Sequence, residues 1–218
     1  MIPFSEKALT AGLGVLYHLL YHQLAWGYDL VAATVSLGLW QSWVQATLPY
    51  LNGPCILELG YGPGHLQTEM RARGLISVGL DASPQMAEIA RDRLRKIGLK
   101  ACIAIGYAQI LPFSSTRIDQ VVATFPSEYI LDPLSLAEIY RVLKPGGELI
   151  TIPFAWQTGE NWRSKLSARL LRVSPGSTGL EDRFLQPFIN AGFRCSTIRI
   201  ELPSSALMII KGVKDMKS

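Results

Sequence analysis

From Cys55 onward the chain alternates short apolar runs with longer mixed segments, which predicts strands and helices in turn. "CILELG" reads as a first strand, and His65 to Arg73 as a helix closed by Gly74. "LISVGLD" is the second strand. The helix "SPQMAEIARDRLRKIG" follows, with Ser83 as N-cap, Pro84 at the first helical position and Gly98 as its stop. "ACIAIG" and "DQVVATF" are the third and fourth strands. "DPLSLAEIYRVLKPGG" is a helix ended by a Pro-Gly-Gly turn before the fifth strand, "ELITIPF". Such a βαβα rhythm calls for a parallel sheet with helices on both faces. The end of the chain differs. The helix "GLEDRFLQPFINAGF" stops at Gly192, and "RCSTIRIEL" and "ALMIIKGV" are separated by "PSS" alone, a hairpin that adds an antiparallel pair. The fold class expected is α/β: a Rossmann-like, doubly wound, mostly parallel seven-stranded sheet with a C-terminal antiparallel hairpin.

Residues 8–50 read as helical and almost uncharged, ending at the "LNGP" turn. Through residue 57 the charged side chains are Glu6, Lys7 and Asp29, so Leu30 to Leu48 is an uncharged run of spanning length. Gln41, Ser42, Gln45, Thr34 and Thr47 interrupt it, and Trp40 and Trp43 sit inside it rather than at its edges. An apolar helical lid, or a helix lying on a bilayer, accounts for it better than a spanning helix. The organisation expected is an N-terminal helical lid over residues 1–50 and one domain over 51–218. An insertion at 155–178, long for a strand–helix connection, covers the active site.

Composition narrows the setting. The 218 residues are 49% hydrophobic and 17% charged with a formal net charge of +4, which is compatible with an anionic surface without requiring one. Cys55, Cys102 and Cys195 are widely spaced in apolar settings, which suits reduced core thiols and a cytoplasmic protein better than disulfides or a metal site. The N-terminus lacks the basic segment of an export signal.

The chemistry starts at "ELGYGPGHLQ", between the first strand and its helix. Gly60 and Gly62 let the backbone turn tightly and approach a ligand, and Gly64 lets the next helix pack closely. The dinucleotide pattern G-x-G-x-x-G fails, because His65 stands at its third glycine position. Asp81 ends the second strand, 21 residues after Gly60, where a carboxylate can accept two ribose hydroxyls; it also suits the approach to the next helix N-terminus.

The run "ILELGYGPG", "GLDASPQM", "GYAQILPF", "IDQVVATF" and "RVLKPGGELI" resembles the class I S-adenosylmethionine-dependent methyltransferases. In particular it is similar to the branch containing the ubiquinone and menaquinone methyltransferases. The likeness covers about residues 25–155, and "WGYDLVAATVSLGLW" resembles that branch too. It implies S-adenosylmethionine as cofactor and S-adenosylhomocysteine as product. It also implies that the backbone of Gly60, Tyr61, Gly62 and Gly64 flanks the cofactor's methionine part, and that Asp81 holds its ribose. Ala82 and Met86 would lie beside the adenine, Ala108 and Gln109 along its edge, Thr124 and Phe125 facing sulfonium and acceptor, and Tyr28 would reach the cofactor carboxylate from the lid. One departure stands out. Where the family writes Gly-Asp-Ala-Glu, this chain has Gly106, Tyr107, Ala108 and Gln109, so both carboxylates near the adenine amino group are gone.

Methyl transfer from a sulfonium needs alignment and desolvation more than a covalent catalyst, and a base only for a protonated acceptor. His18 and His22, at i,i+4, are the weak candidates for bases or lid contacts; an amphipathic helix with polar tips explains them better, and as a metal pair they lack a third ligand, so no metal is expected. The segment after the fourth strand, Thr124-Phe125-Pro126-Ser127, lacks the Pro-Pro-aromatic of base-modifying enzymes, which argues against nucleic acid. "NWRSKLSARLLRV" places Leu166, Leu170 and Leu171 on one side with Trp162 near, and Arg163, Lys165, Arg169 and Arg172 around them. That pattern suits either a membrane-interface helix over 162–173, giving peripheral membrane contact with the lid, or a cap on the cleft. Both readings favour a small apolar or lipid-like acceptor, a quinone-type ring or a lipid head group. A small polar or natural-product acceptor, a cofactor-binding partner without activity, and a nicotinamide dehydrogenase are the rivals.

Overall fold

The computed structural model describes residues 39–158 and 178–216. In chain order these form α1 (Trp40–Gln45), a 3-10 turn (Leu48–Tyr50), β1 (Ile56–Leu59), α2 (His65–Ala72), β2 (Ser77–Asp81), α3 (Pro84–Lys96), β3 (Ile103–Ile105) and β4 (Ile118–Thr124). A second 3-10 turn (Glu128–Leu131), α4 (Pro133–Val142), β5 (Leu143–Gln157), α5 (Thr178–Asn190), β6 (Arg194–Leu202) and β7 (Ser205–Val213) follow. The strands make one seven-stranded sheet in the order β3-β2-β1-β4-β5-β7-β6. β1 pairs in parallel with both β2 and β4, so the direction of winding reverses at its carboxyl end. That is where sheets of this kind bind ligands. β7 pairs antiparallel with β5 and β6, as the hairpin requires.

Alternation along the strands builds two cores. Leu57, Val121, Leu149 and Ile210 face α4 residues Leu136 and Ile139 and Phe188 of α5. Their neighbours Ile56, Val122, Ile150 and Ile209 face the other way, with Trp43 and Val44 of α1 and Leu66 and Met70 of α2. The period of two is what sends adjacent residues to opposite faces. Burial on both sides explains why these strands read as continuous apolar runs.

Local chemistry sets the helix ends. Ser83 accepts the Met86 N–H at 3.3 Å and Pro84 opens α3, while Gly98 takes φ +72° just past its end. Asp132 caps α4 by accepting the Leu134 N–H at 3.0 Å. One boundary differs from the sequence reading. The Pro-Gly-Gly stretch lies inside β5, because Leu143 already pairs with Ile118 before the register shifts to Gln120–Glu148. Among the described residues no helix is long and apolar enough to cross a membrane. The lid up to residue 38, the 162–173 segment and most of the insertion lie outside the described residues.

Candidate functional site

The loop between β1 and α2 owes its shape to positive φ angles at Gly60 (+68°), Gly62 (+51°) and Gly64 (+83°). The three glycines answer to different constraints. A Cβ on Gly64 would stand 2.8 Å from that of Ala90, so Gly64 sets how closely α2 approaches α3. At Gly60 a Cβ would meet the Tyr129 hydroxyl at 2.8 Å, which itself donates to the Leu59 carbonyl. An added Cβ on Gly62 would have nothing among the described residues within 4 Å, so the backbone is open there. Asp81, 2% exposed at the end of β2, ties the arrangement together. One carboxylate oxygen accepts the Gly62 N–H and the other the Ser83 N–H, each at 2.8 Å.

Beneath the loop is a group that sequence reasoning missed. Glu58 sits in the middle of β1, 1% exposed, and its Oε2 has no hydrogen-bond partner among the described residues. Burial pushes its carboxyl up to about 8, the Asp81 charge adding to the rise and the nearby Gln67 amide opposing it. The Gln67 Nε2 likewise lacks a partner among the described residues, while its Oε1 accepts from the Ser77 hydroxyl at 2.9 Å. A buried carboxyl oxygen without a partner is costly in itself and becomes favourable once a cation comes within reach. The signal was present: one carboxylate inside an otherwise apolar strand, directly before the glycine loop.

Glu58, Gly60, Tyr61, Gly62 and Thr124 line one small cleft, together with Trp40 of α1 and His65 at the start of α2. Tyr61 points its ring into the space left by Gly79, where an added Cβ would lie 2.7 Å from it. Burial pushes its phenol well above the ordinary range, with the Asp81 charge adding to the effect. His65 is fixed by Arg93, whose guanidinium approaches Nδ1 at 3.2 Å and donates to the Pro63 carbonyl at 2.8 Å. A guanidinium can only donate, so Nδ1 is the accepting nitrogen.

The remaining sequence candidates divide into groups. Phe125 follows Thr124 and packs against Trp40 and Trp43 at centroid distances of 4.4 and 5.8 Å. Gly64, Asp81, Ala82, Met86, Ala108, Gln109 and Phe125 are outside the cleft's lining. Met86 is fully buried and Ala108 nearly so. Gln109 donates through Nε2 to the Asp132 carboxylate at 2.8 Å, and Tyr107 is 67% exposed. Tyr28, His18 and His22 lie outside the described residues. No cluster of metal-ligating side chains occurs among the described residues.

The comparison with known proteins agrees with this geometry. Residues 57–151 match the family described as "Methyltransferase domain", a span from β1 into β5. Over that span the chain is similar to methyltransferase domains. It is 31% identical over 145 residues to the ubiquinone/menaquinone biosynthesis C-methyltransferase of Haemophilus ducreyi, covering 62% of this chain and 56% of that one. The demethylmenaquinone methyltransferase of Symbiobacterium thermophilum is 32% identical over 143 residues, covering 61% and 57%. The matched part is thus little more than half the length of these relatives. Among solved structures, a methyltransferase of Thermotoga maritima described as a possible histamine N-methyltransferase superposes with a TM-score of 0.63 at 22% identity, covering 91% and 99%. A geranyl diphosphate methyltransferase in complex with its substrate and sinefungin gives 0.60 at 15%, covering 81% and 79%. At these identities the likeness is one of fold.

The site fits S-adenosylmethionine on two observations. Among the described residues the backbone at Gly62 is open to close approach and the Glu58 Oε2 beneath the same cleft lacks a partner, which suits a ligand that brings positive charge.

Proposed function

We propose that this chain transfers a methyl group from S-adenosylmethionine to a carbon of a hydrophobic, quinone-type ring in its reduced form. The observation that carries the cofactor half is Glu58: a buried carboxyl whose Oε2 lacks a partner among the described residues, lining the cleft under an open glycine loop. The acceptor half is supported by the relatives named for quinone methylation and by the aromatic and apolar wall of the same cleft.

When bound, S-adenosylmethionine would supply a methyl on a positively charged sulfur for the acceptor carbon's electron pair, the old bond's pair staying on sulfur and the ring carbon's proton passing to solvent. The chain's own residues act by placement. The backbone of the 60–64 loop flanks the amino-acid end, Asp81 fixes that loop through the Gly62 N–H and takes the ribose, and Glu58 receives positive charge without water to compete. Thr124 and Trp40 bound the cleft where the acceptor enters. Orientation of this kind can supply about 7–11 kcal/mol of the barrier. Ala82, Met86, Ala108 and Gln109 complete the adenine side, and Tyr28 with the lid over residues 1–50 closes the site in this reading. The protein works in the cytoplasm, with the 162–173 segment in contact with the membrane that holds the acceptor.

The test is methyl transfer from labelled S-adenosylmethionine to a reduced 2-prenyl-1,4-naphthoquinone that lacks the ring methyl. Label in the ring supports the proposal, and its absence with cofactor bound rejects the acceptor. A second reading, a cofactor-binding protein without turnover, is favoured by one observation. Tyr107 is turned to solvent and Gln109 is engaged by Asp132, where the family carries two carboxylates.

A further inference from the structure

Two tryptophans three positions apart on α1, Trp40 and Trp43, meet one residue at the exit of β4, Phe125. Residues at this spacing share a helix face. Their surroundings differ. Trp43 is 7% exposed and donates through Nε1 to the buried Ser205 hydroxyl at 2.9 Å, which fixes α1 to β7. Trp40 is half-buried and belongs to the lining of the cleft, beside Thr124 and the glycine loop. The Trp43 indole anchors the helix, and the Trp40 indole lines the cleft.

Phe125 holds the Trp40 indole in place. Its φ is +49°, a conformation that residues other than glycine rarely adopt. The next residue is Pro126, which by itself pushes its predecessor towards extended backbone. Two local preferences are therefore overridden at one position. Its N–H continues the ladder by donating to the Ile152 carbonyl at 2.8 Å, and its ring lies against Trp40 with an interplanar angle of 34°. Strain of this kind persists where packing over-determines it, and it concentrates at ligand sites. An aliphatic wall would exclude water equally well. A braced indole adds a flat π face at fixed height and tilt, which rewards a flat ring over a flexible chain.

We infer that Trp40, braced by Phe125, is the stacking platform for the acceptor's ring and sets the preference for a planar conjugated acceptor. This rests on the proposed transfer to a quinone-type ring and assigns the residue that selects it. Trp40 touches the acceptor; Phe125 is a positioning residue that acts through Trp40.

The test uses the full chain saturated with S-adenosylhomocysteine and titrated with 2-prenyl-1,4-naphthoquinone, a quencher of indole emission on contact. Saturable quenching is expected, with binding weakened about tenfold in Trp40→Leu and unchanged affinity for S-adenosylhomocysteine. Trp40→Phe retains most of the affinity and loses part of the quenching. Phe125→Gly, which tolerates the same φ, weakens naphthoquinone binding as Trp40→Leu does while S-adenosylhomocysteine still binds. Absence of saturable quenching in the intact protein overturns the inference, as does wild-type naphthoquinone affinity in Trp40→Leu. So does a Trp40→Leu protein that loses S-adenosylmethionine but retains S-adenosylhomocysteine, since the indole would then serve the sulfonium. The two readings fail separately. Trp40-dependent quenching without methyl transfer keeps the platform and rejects the reaction, whereas turnover with unchanged KM in Trp40→Leu rejects the platform and keeps the reaction.

Discussion

The two sides of the cleft are built by different means. On the side of β1 and β2, positive φ angles fall on glycines, and the principal contacts join backbone amides to one carboxylate, Asp81. On the side of β4, a positive φ falls on Phe125, and what holds it is the pair of indoles of α1, a helix that precedes β1 in the chain. A backbone cradle recognises what every ligand of that class has in common, and it tolerates little change in sequence. A side-chain wall can be rebuilt residue by residue, so it is the side where one fold acquires different acceptors.

That contrast can be broken most severely at Gly64. Gly64→Ala combines a left-handed backbone with a Cβ at 2.8 Å from Ala90, and should cost about 2–4 kcal/mol in denaturant unfolding. Gly62→Ala has the same kind of backbone and open space, so it should cost about 1–2 kcal/mol while still impairing cofactor binding. Equal losses in the two variants would contradict the separate roles assigned to them. On the other side, Trp43→Phe removes the donor to the buried Ser205 hydroxyl and should cost about 1–3 kcal/mol, read by the same unfolding experiment.

Glu58 gives a pH-dependent test. Its folded carboxyl titrates near 8 against an ordinary 4.5, so the folded state holds the extra proton between those values. The stability linked to it is complete below about 4.5 and is lost as pH rises through 8. Unliganded protein should therefore lose stability between about pH 5 and 8, and Glu58→Gln should flatten that loss and be relatively more stable at about pH 8. A variant with the same pH slope as wild type would show that Glu58 is not the group responsible. The smallest effect is expected at Tyr107, which is exposed: Tyr107→Asp should raise S-adenosylhomocysteine affinity by about two- to fivefold, with stability unchanged.

Much of this was legible in the sequence because it depends on local rules. Ser83, Pro84 and Gly98 mark both ends of α3, and the "PSS" turn marks the β6–β7 hairpin. Gly60, Gly62 and Asp81 follow one another in an order whose geometry is set by a strand, a turn and a helix. What was not legible depends on contacts far apart in the chain. Trp40 reads as one more apolar residue of a helical segment until the fold brings it against Phe125. Glu58 reads as a strand residue until burial leaves its Oε2 without a partner among the described residues. Gln109 reads as a lost carboxylate, and the structure shows its amide committed to Asp132, a residue 23 positions away. The extent of β5 escaped for a related reason. Pro-Gly-Gly is a turn signal, and only pairing of Leu143 with Ile118 carries the strand through it.

The central claim is that the glycine loop, Asp81 and Glu58 form a site for S-adenosylmethionine. Calorimetric titration of the full chain with S-adenosylmethionine and S-adenosylhomocysteine, beside Asp81→Ala, tests it most directly. Saturable binding of both is expected, weakened at least about a hundredfold in Asp81→Ala, since the carboxylate that would take the ribose and that holds the Gly62 and Ser83 N–H groups is then gone. No binding by the intact protein, or equal binding by the variant, would contradict it.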